Sequence, residues 1–290
     1  MTRLHIISCI LITFILMACD SLTTTSAPNQ IETQAIGEAL AAEIEDAAEG
    51  FNLNGAITLN NRTSELNTQV SACLNITVLD PSDTDNDGRA REVEISFDCS
   101  GTGWLGGTAS LTGKVTFLDP LEEDTLGYDA SINNLKLALV NAEGNRSYTE
   151  TRNGTAIRRL TTNKFTESRN ITTVRDYKGV FVTALVNISN KWDISFTPEA
   201  GSNIVLFEPL PGGKFDASGL TTWTGENGAY TLDLSTPEGL EYDAECNQTP
   251  GIVEGRIEAT LVGDRNNRIT IQYNGCGVKP TITLVSQEGS

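Results

Sequence analysis

Two hydrophobic periods divide the chain. Between Asn29 and Gly50 apolar residues return every fourth position (Ile36, Leu40, Ile44, Ala48), the stripe of a helix that buries one face. Asn29 with Glu32 three residues on has the capping-box spacing, and Gly50 ends the run. One amphipathic helix is expected over residues 29–50, lying against the sheet it precedes. After Phe51 the period becomes two. Val93, Ile95 and Phe97 share a face, as do Leu111, Gly113, Val115 and Phe117, then Leu135, Leu137 and Leu139, then Val180, Val182, Ala184 and Val186, then Ile269, Ile271 and Tyr273. Turn signals at Gly106-Gly107, Asn153-Gly154, Pro211-Gly212-Gly213 and Asn227-Gly228 come too close together for helical crossovers, so the strands run antiparallel. Ser and Thr fill the alternate positions, which makes one face wet. The pattern predicts an all-β domain over 51–290: a large antiparallel meander sheet of a dozen or more strands, open, curved or sandwich-like, preceded by the one helix. Arg91–Gly101 and Arg268–Gly277 repeat each other weakly, each an alternating strand running into a cysteine, and would bracket the sheet as two related hairpins.

Residues 1–19 have a different logic. Arg3 is followed by an apolar run from Ile6 to Met17, too short to span a bilayer, and then by Leu16-Met17-Ala18-Cys19. This resembles the lipobox of bacterial lipoproteins. The resemblance implies a lipoprotein signal peptide at 1–18, a diacylglycerol on the Cys19 thiol and an acyl group such as palmitate on the new amine. At about 0.8 kcal/mol per buried CH₂, two or three chains make a lasting anchor. The bilayer is then a partner through acylated Cys19, with 19–28 as lipidated cysteine and Ser/Thr-rich tether. The implied location is the bacterial cell envelope, outside the cytoplasm, with inner and outer membrane both open.

Cys9 would leave with the signal and Cys19 would carry lipid, so four cysteines remain: Cys73, Cys99, Cys246 and Cys276. Three pairings are open to four cysteines in an exported chain. Local symmetry favours Cys73 with Cys99 about the turn at Asn86, and Cys246 with Cys276 about the strands Ile252–Val262 and Arg268–Tyr273, joined by a turn over Gly263–Asn267. Each would contribute roughly 3 to 4 kcal/mol by restricting the unfolded chain. The only histidine, His5, and both methionines, Met1 and Met17, precede Cys19, which removes His-dependent triads and His-ligated metal sites from the mature chain. The net charge of −18 repels nucleic acid, which is not expected as a partner. From Cys73-Leu74-Asn75-Ile76-Thr77-Val78 through Asp98-Cys99 and Leu111–Phe117 to the closing cysteine pair, the mature part resembles uncharacterised β-rich bacterial lipoproteins. That likeness implies architecture and location and no reaction.

Three constellations could carry function. Asp83-Thr84-Asp85-Asn86-Asp87-Gly88 with Glu94 at position twelve matches a calcium loop: Asp83, Asp85, Asp87, the Arg89 carbonyl and Glu94 would hold a structural Ca²⁺, against the alternative of a solvated Asx-rich turn. Arg146, Arg152, Arg158, Arg159, Lys164, Arg169, Arg175 and Lys178 stand against three acids, Glu150, Glu167 and Asp176. With few large apolar residues nearby, their strands are expected to be wet on both faces. The patch would suit an anionic glycan or an acidic protein, or else would neutralise neighbouring acidic strands. A catalytic reading would need a carboxylate pair, as in glycan hydrolysis, with Trp104, Trp192 or Trp223 as sugar platforms. No nucleophile-elbow, phosphate-loop or dinucleotide motif occurs. The expected function is therefore that of an envelope-anchored lipoprotein with a non-catalytic binding or structural domain, the alternatives being a carboxylate-dependent glycan hydrolase and a lipid or lipoprotein carrier. The carrier would need a curved sheet with an apolar concave face.

Overall fold

A computed structural model describes residues 27–49, 73–85, 89–102, 107–120, 126–161, 163–180, 182–205, 210–226, 228–246 and 251–286. The expected signal segment, Cys19 and most of the expected tether, and also Asp87 and Trp104, lie outside the described residues. The helix α1 (Gln30–Glu49) precedes β1 (Leu74–Asp80), β2 (Glu92–Thr102), β3 (Thr108–Leu118), β4 (Leu126–Val140), β5 (Ser147–Thr161), β6 (Lys164–Val180) and β7 (Val182–Pro198). Then come β8 (Gly213–Gly225), β9 (Gly228–Ser235), β10 (Leu240–Tyr242), β11 (Ile252–Leu261), β12 (Asp264–Asn274) and β13 (Thr281–Ser286).

All thirteen strands belong to one sheet, and every pairing between them is antiparallel, as the alternation and short turns required. Strand order follows chain order from β1 to β8. β9 and β10 then both pair with β8 and β11, so these four strands close a ring of neighbours, with the turn Thr236–Gly239 between β9 and β10. The repeated motifs fall on β2 and β12, each second from an edge of the sheet.

The cap of α1 forms as its sequence predicts: Asn29 Oδ1 accepts from Glu32 N at 2.9 Å, and Glu32 Oε2 accepts from Asn29 N at 3.2 Å. The helix is more deeply enclosed than a one-stripe pattern implies. Ile36, Ala39, Leu40, Ala41, Ile44 and Ala47 are all buried, and so are Glu32, Thr33 and Glu43. α1 reaches β5 through Asp46 and Arg152, β9 through Glu32 and Tyr230, β12 through Glu45 and Tyr273, and β13 where Gly37 lies against Ile282. From β5 to β13 is seven strand spacings, about 34 Å if flat, three times the width of a helix. The sheet must therefore curl around α1. One core holds α1 with the inward faces of β5 to β12, built on Phe165, Trp192, Phe196, Phe215 and Tyr273. A second, smaller core lies on β2 to β5 around Ile95, Phe97, Leu111 and Leu135.

Both disulfides join the expected partners. Cys73 and Cys99 tie the start of β1 to β2 (Cα–Cα 5.0 Å), and Cys246 and Cys276 tie the β10–β11 and β12–β13 connections (5.6 Å).

Three local expectations are corrected. Val180 and Val182 do not share a strand: they face each other across the β6–β7 hairpin. The turn expected over Gly263–Asn267 is tighter, because Leu261 already pairs with Asp264 and the extra residues of β12 are absorbed as a bulge before Arg268. Asn153-Gly154 is no turn, since β5 runs straight through it. The pair serves a bulge instead. The β4–β5 register shifts between Ile132 and Leu135, Asn134 takes φ 48°, and Asn153 Oδ1 accepts from Asn134 N at 2.8 Å. Gly154 itself has φ 146°, and a Cβ there would lie 2.1 Å from the Asn170 carbonyl oxygen.

Gly154→Ala is therefore expected to cost about 1 to 3 kcal/mol through combined backbone strain and clash. Urea denaturation followed by circular dichroism measures it. Gly144→Asn, in an open turn with φ 68° and nothing within 4 Å, should shift the midpoint less.

Candidate functional site

The basic segment is the most unusual part of the molecule, and its inner face is not wet. On β6 the odd positions point inward: Phe165, Glu167, Arg169, Ile171, Thr173 and Arg175 are all buried, while Thr166, Ser168, Asn170 and Thr172 are exposed. On β5 Glu150, Arg152, Ala156, Arg158 and Leu160 face the same interior. The expectation of two solvated faces fails because the alternation is carried by charged residues in place of apolar ones. Four of the eight bases are thus interior groups and no open anion patch.

Each interior arginine meets a carboxylate. Glu167 lies between Arg158 and Arg169, in contact with both Nε groups. Glu150 accepts from Arg152 Nε at 2.6 Å and from Arg175 Nε at 2.8 Å, and also accepts from the Tyr148 hydroxyl. The remaining partners come from the helix. Asp46 Oδ2 accepts from Arg152 Nη1 at 2.5 Å, and the Glu43 main-chain carbonyl accepts from Arg169 Nη1 at 3.0 Å. The Glu43 carboxylate is 3.8 Å from Arg152 and 3.7 Å from Arg169. The Arg158 guanidinium also lies over the Tyr128 and Phe165 rings, at 5.3 and 5.5 Å.

The carboxyls titrate in opposite directions. Burial pushes Glu150 up, but Arg152, Arg175 and the Tyr148 hydroxyl outweigh it and hold the group down to about 2. For Glu167 the burial penalty is likewise overcome by Arg158 and Arg169, and its value is lowered. At Glu43 burial wins, reinforced by the Asp46 charge against the pull of Arg152, and the carboxyl is raised above its ordinary value. The group that fits least well is the helix's own.

Comparison with family models, with curated proteins and with solved structures gives no match in any of the three. The site is therefore read from its geometry.

The other bases stay outside. Arg159 pairs with Asp129 at 2.6 Å and Lys178 with Asp176 at 2.9 Å, while Arg146 and Lys164 are exposed. In the calcium-like loop, Asp83 and Asp85 fall in the β1–β2 connection, but Glu94 does not join them. It sits in β2 and binds Lys114 Nζ at 2.8 Å and Ser96 Oγ at 3.3 Å. The Arg89 side chain turns to Asp119. Among the described residues no three metal-ligating side chains converge. Trp192 and Trp223 are core residues, not platforms; Trp192 Nε1 donates to Thr221 Oγ1 at 2.9 Å, inside the sheet.

Glu43, Asp46 and Tyr148 escaped the sequence reading. The parity of Arg152 and Arg158 with Leu160, and of Glu167, Arg169 and Arg175 with Phe165 and Ile171, was the available signal.

Glu167→Gln leaves two buried guanidinium groups short of a counterion and should destabilise by about 3 to 5 kcal/mol, whereas Arg159→Ala at the surface pair should cost at most about 1 kcal/mol. Chemical denaturation of the two variants checks this. Because the folded values of Glu150 and Glu167 are depressed, their stabilisation is complete above the ordinary carboxylate value of 4.5. It is lost as pH falls, for Glu150 towards about 2. Thermal midpoints should accordingly fall across that window, whereas Glu43, whose carboxyl is raised, costs stability in the opposite sense and only as pH rises above 4.5.

Proposed function

We propose that this chain is an envelope-anchored bacterial lipoprotein whose β domain acts by binding or by structural support, without catalysis. The observation that carries the reading is the pairing of all four cysteines beyond Cys19 into two disulfides, which fits a chain folded in an oxidising compartment. It agrees with the lipobox-like Leu16-Met17-Ala18-Cys19, whose cysteine would be acylated. A hydrolase would need two reachable carboxyls; Glu43, Glu150 and Glu167 are enclosed and face arginines, which weighs against that alternative. The carrier reading has one specific support, the curl of the sheet about α1, which gives the domain an apolar concave side.

Mass spectrometry of the protein taken from membranes should find a chain beginning at Cys19 with a thioether-linked diacylglycerol. Alkylation of the unreduced protein should label none of Cys73, Cys99, Cys246 and Cys276. An unmodified residue 19, or free thiols at those positions, would overturn the proposal.

A further inference from the structure

The inner wall of β5 and β6 has more positive charge than its own acids neutralise. In the described ion pairs within the sheet, Arg152, Arg158, Arg169 and Arg175 share two carboxylates, Glu150 and Glu167, and α1 adds Asp46 and Glu43 beside Arg152 and Arg169. The helix completes the balance poorly. The Glu43 carboxylate stays beyond hydrogen-bond distance of both arginines, and its enclosed Oε1 has no hydrogen-bond partner. Since burial favours its protonated form, Glu43 supplies less than a full charge. On the same face Thr173 Oγ1, opposite Arg152 in the β5–β6 ladder, is fully buried and unpartnered, and so is Asn190 Nδ2 on β7. Beside these donors the wall is apolar, with Ile171 buried on β6 and Ile188 and Trp192 packed in the core that α1 completes.

A cationic end running into an apolar strip is the complement of an amphiphile with an anionic head. We propose that this wall is a binding site for a long-chain fatty carboxylate, and that α1 is the internal surrogate occupying it. Asp46 and Glu43 stand where the head group would, and Ile36, Leu40 and Ile44 where the chain would. The inference deepens the binding reading above by naming a ligand class. The ligand carboxylate would take up the donors that Glu43 leaves unused, and its chain would replace the helix's apolar contacts as α1 moves off.

The test follows hydrogen exchange of the α1 amides in the full chain, held in a non-ionic detergent, with sodium oleate, oleyl alcohol or inorganic phosphate added. Oleate should speed α1 exchange about tenfold, while the uncharged alcohol and the anion without a chain leave it unchanged. Asp46→Asn, which weakens the surrogate's pairing with Arg152 and leaves every sheet residue in place, should lower the apparent Kd for oleate by about tenfold. Equal exchange with and without oleate, the same effect from oleyl alcohol, or phosphate acting alone would each overturn the proposal. If the variant fails to fold by circular dichroism, the wild-type comparison decides. A lipidated Cys19 with no oleate effect would remove this inference and leave the anchored-binding reading standing.

Discussion

Among the described residues four guanidinium groups enter the interior, and they can stay there because carboxylates meet them on both sides. Taking such charges out of water costs several kcal/mol per ion, and only close, hydrogen-bonded partners return it. The sheet solves half of that problem through Glu150 and Glu167, each shared between two arginines. The other half falls to α1. The helix is seated both by apolar burial and by where Asp46 and the Glu43 carbonyl reach Arg152 and Arg169. Further contacts from Tyr230 to Glu32 and Tyr273 to Glu45 set its axial register from the opposite wall. A polar clasp of this kind adds little net stability compared with well-packed apolar residues, but it discriminates strongly between one seating of the helix and its neighbours.

Much of the architecture was legible because the two periods in the sequence are physical ones. Alternation gave the strands, closely spaced glycines gave antiparallel neighbours, and the symmetry of the cysteines about two hairpins gave the pairing. What escaped were features in which polar residues take structural positions. Asn153-Gly154 reads as a turn, since only backbone proximity reveals that its glycine is required by the Asn170 carbonyl on the neighbouring β6. The arginines of β5 and β6 read as surface because charge usually is. Their parity with Phe165 and Leu160 pointed inward, but the acids that make burial tolerable, Glu43 and Asp46, lie more than a hundred residues earlier on the helix. A partner so distant leaves no local trace.

The two faces of the sheet divide the chemistry. The outer face has rows of Thr, Ser and Asn with surface ion pairs such as Arg159–Asp129, groups that stay solvated and ask little of their neighbours. The inner face carries Trp192 and Trp223, the closely packed Phe196 and Phe215 and the ionic cluster. Disulfides pin the hairpins near both margins, where the ladder has fewest neighbours and local opening is easiest.

Connectivity has a consequence for how the molecule assembles. Nearly every ladder joins strands adjacent in the chain, so the sheet can zip up hairpin by hairpin from mostly local pairings. α1 cannot join in at that stage. Although it comes before every strand, its resting place is completed only when β12 and β13, the final ladders, have closed around Tyr273 and Ile282. The earliest described segment of the polypeptide must wait for the latest, and until then the four cations of a half-built wall have only Glu150 and Glu167 to set against them.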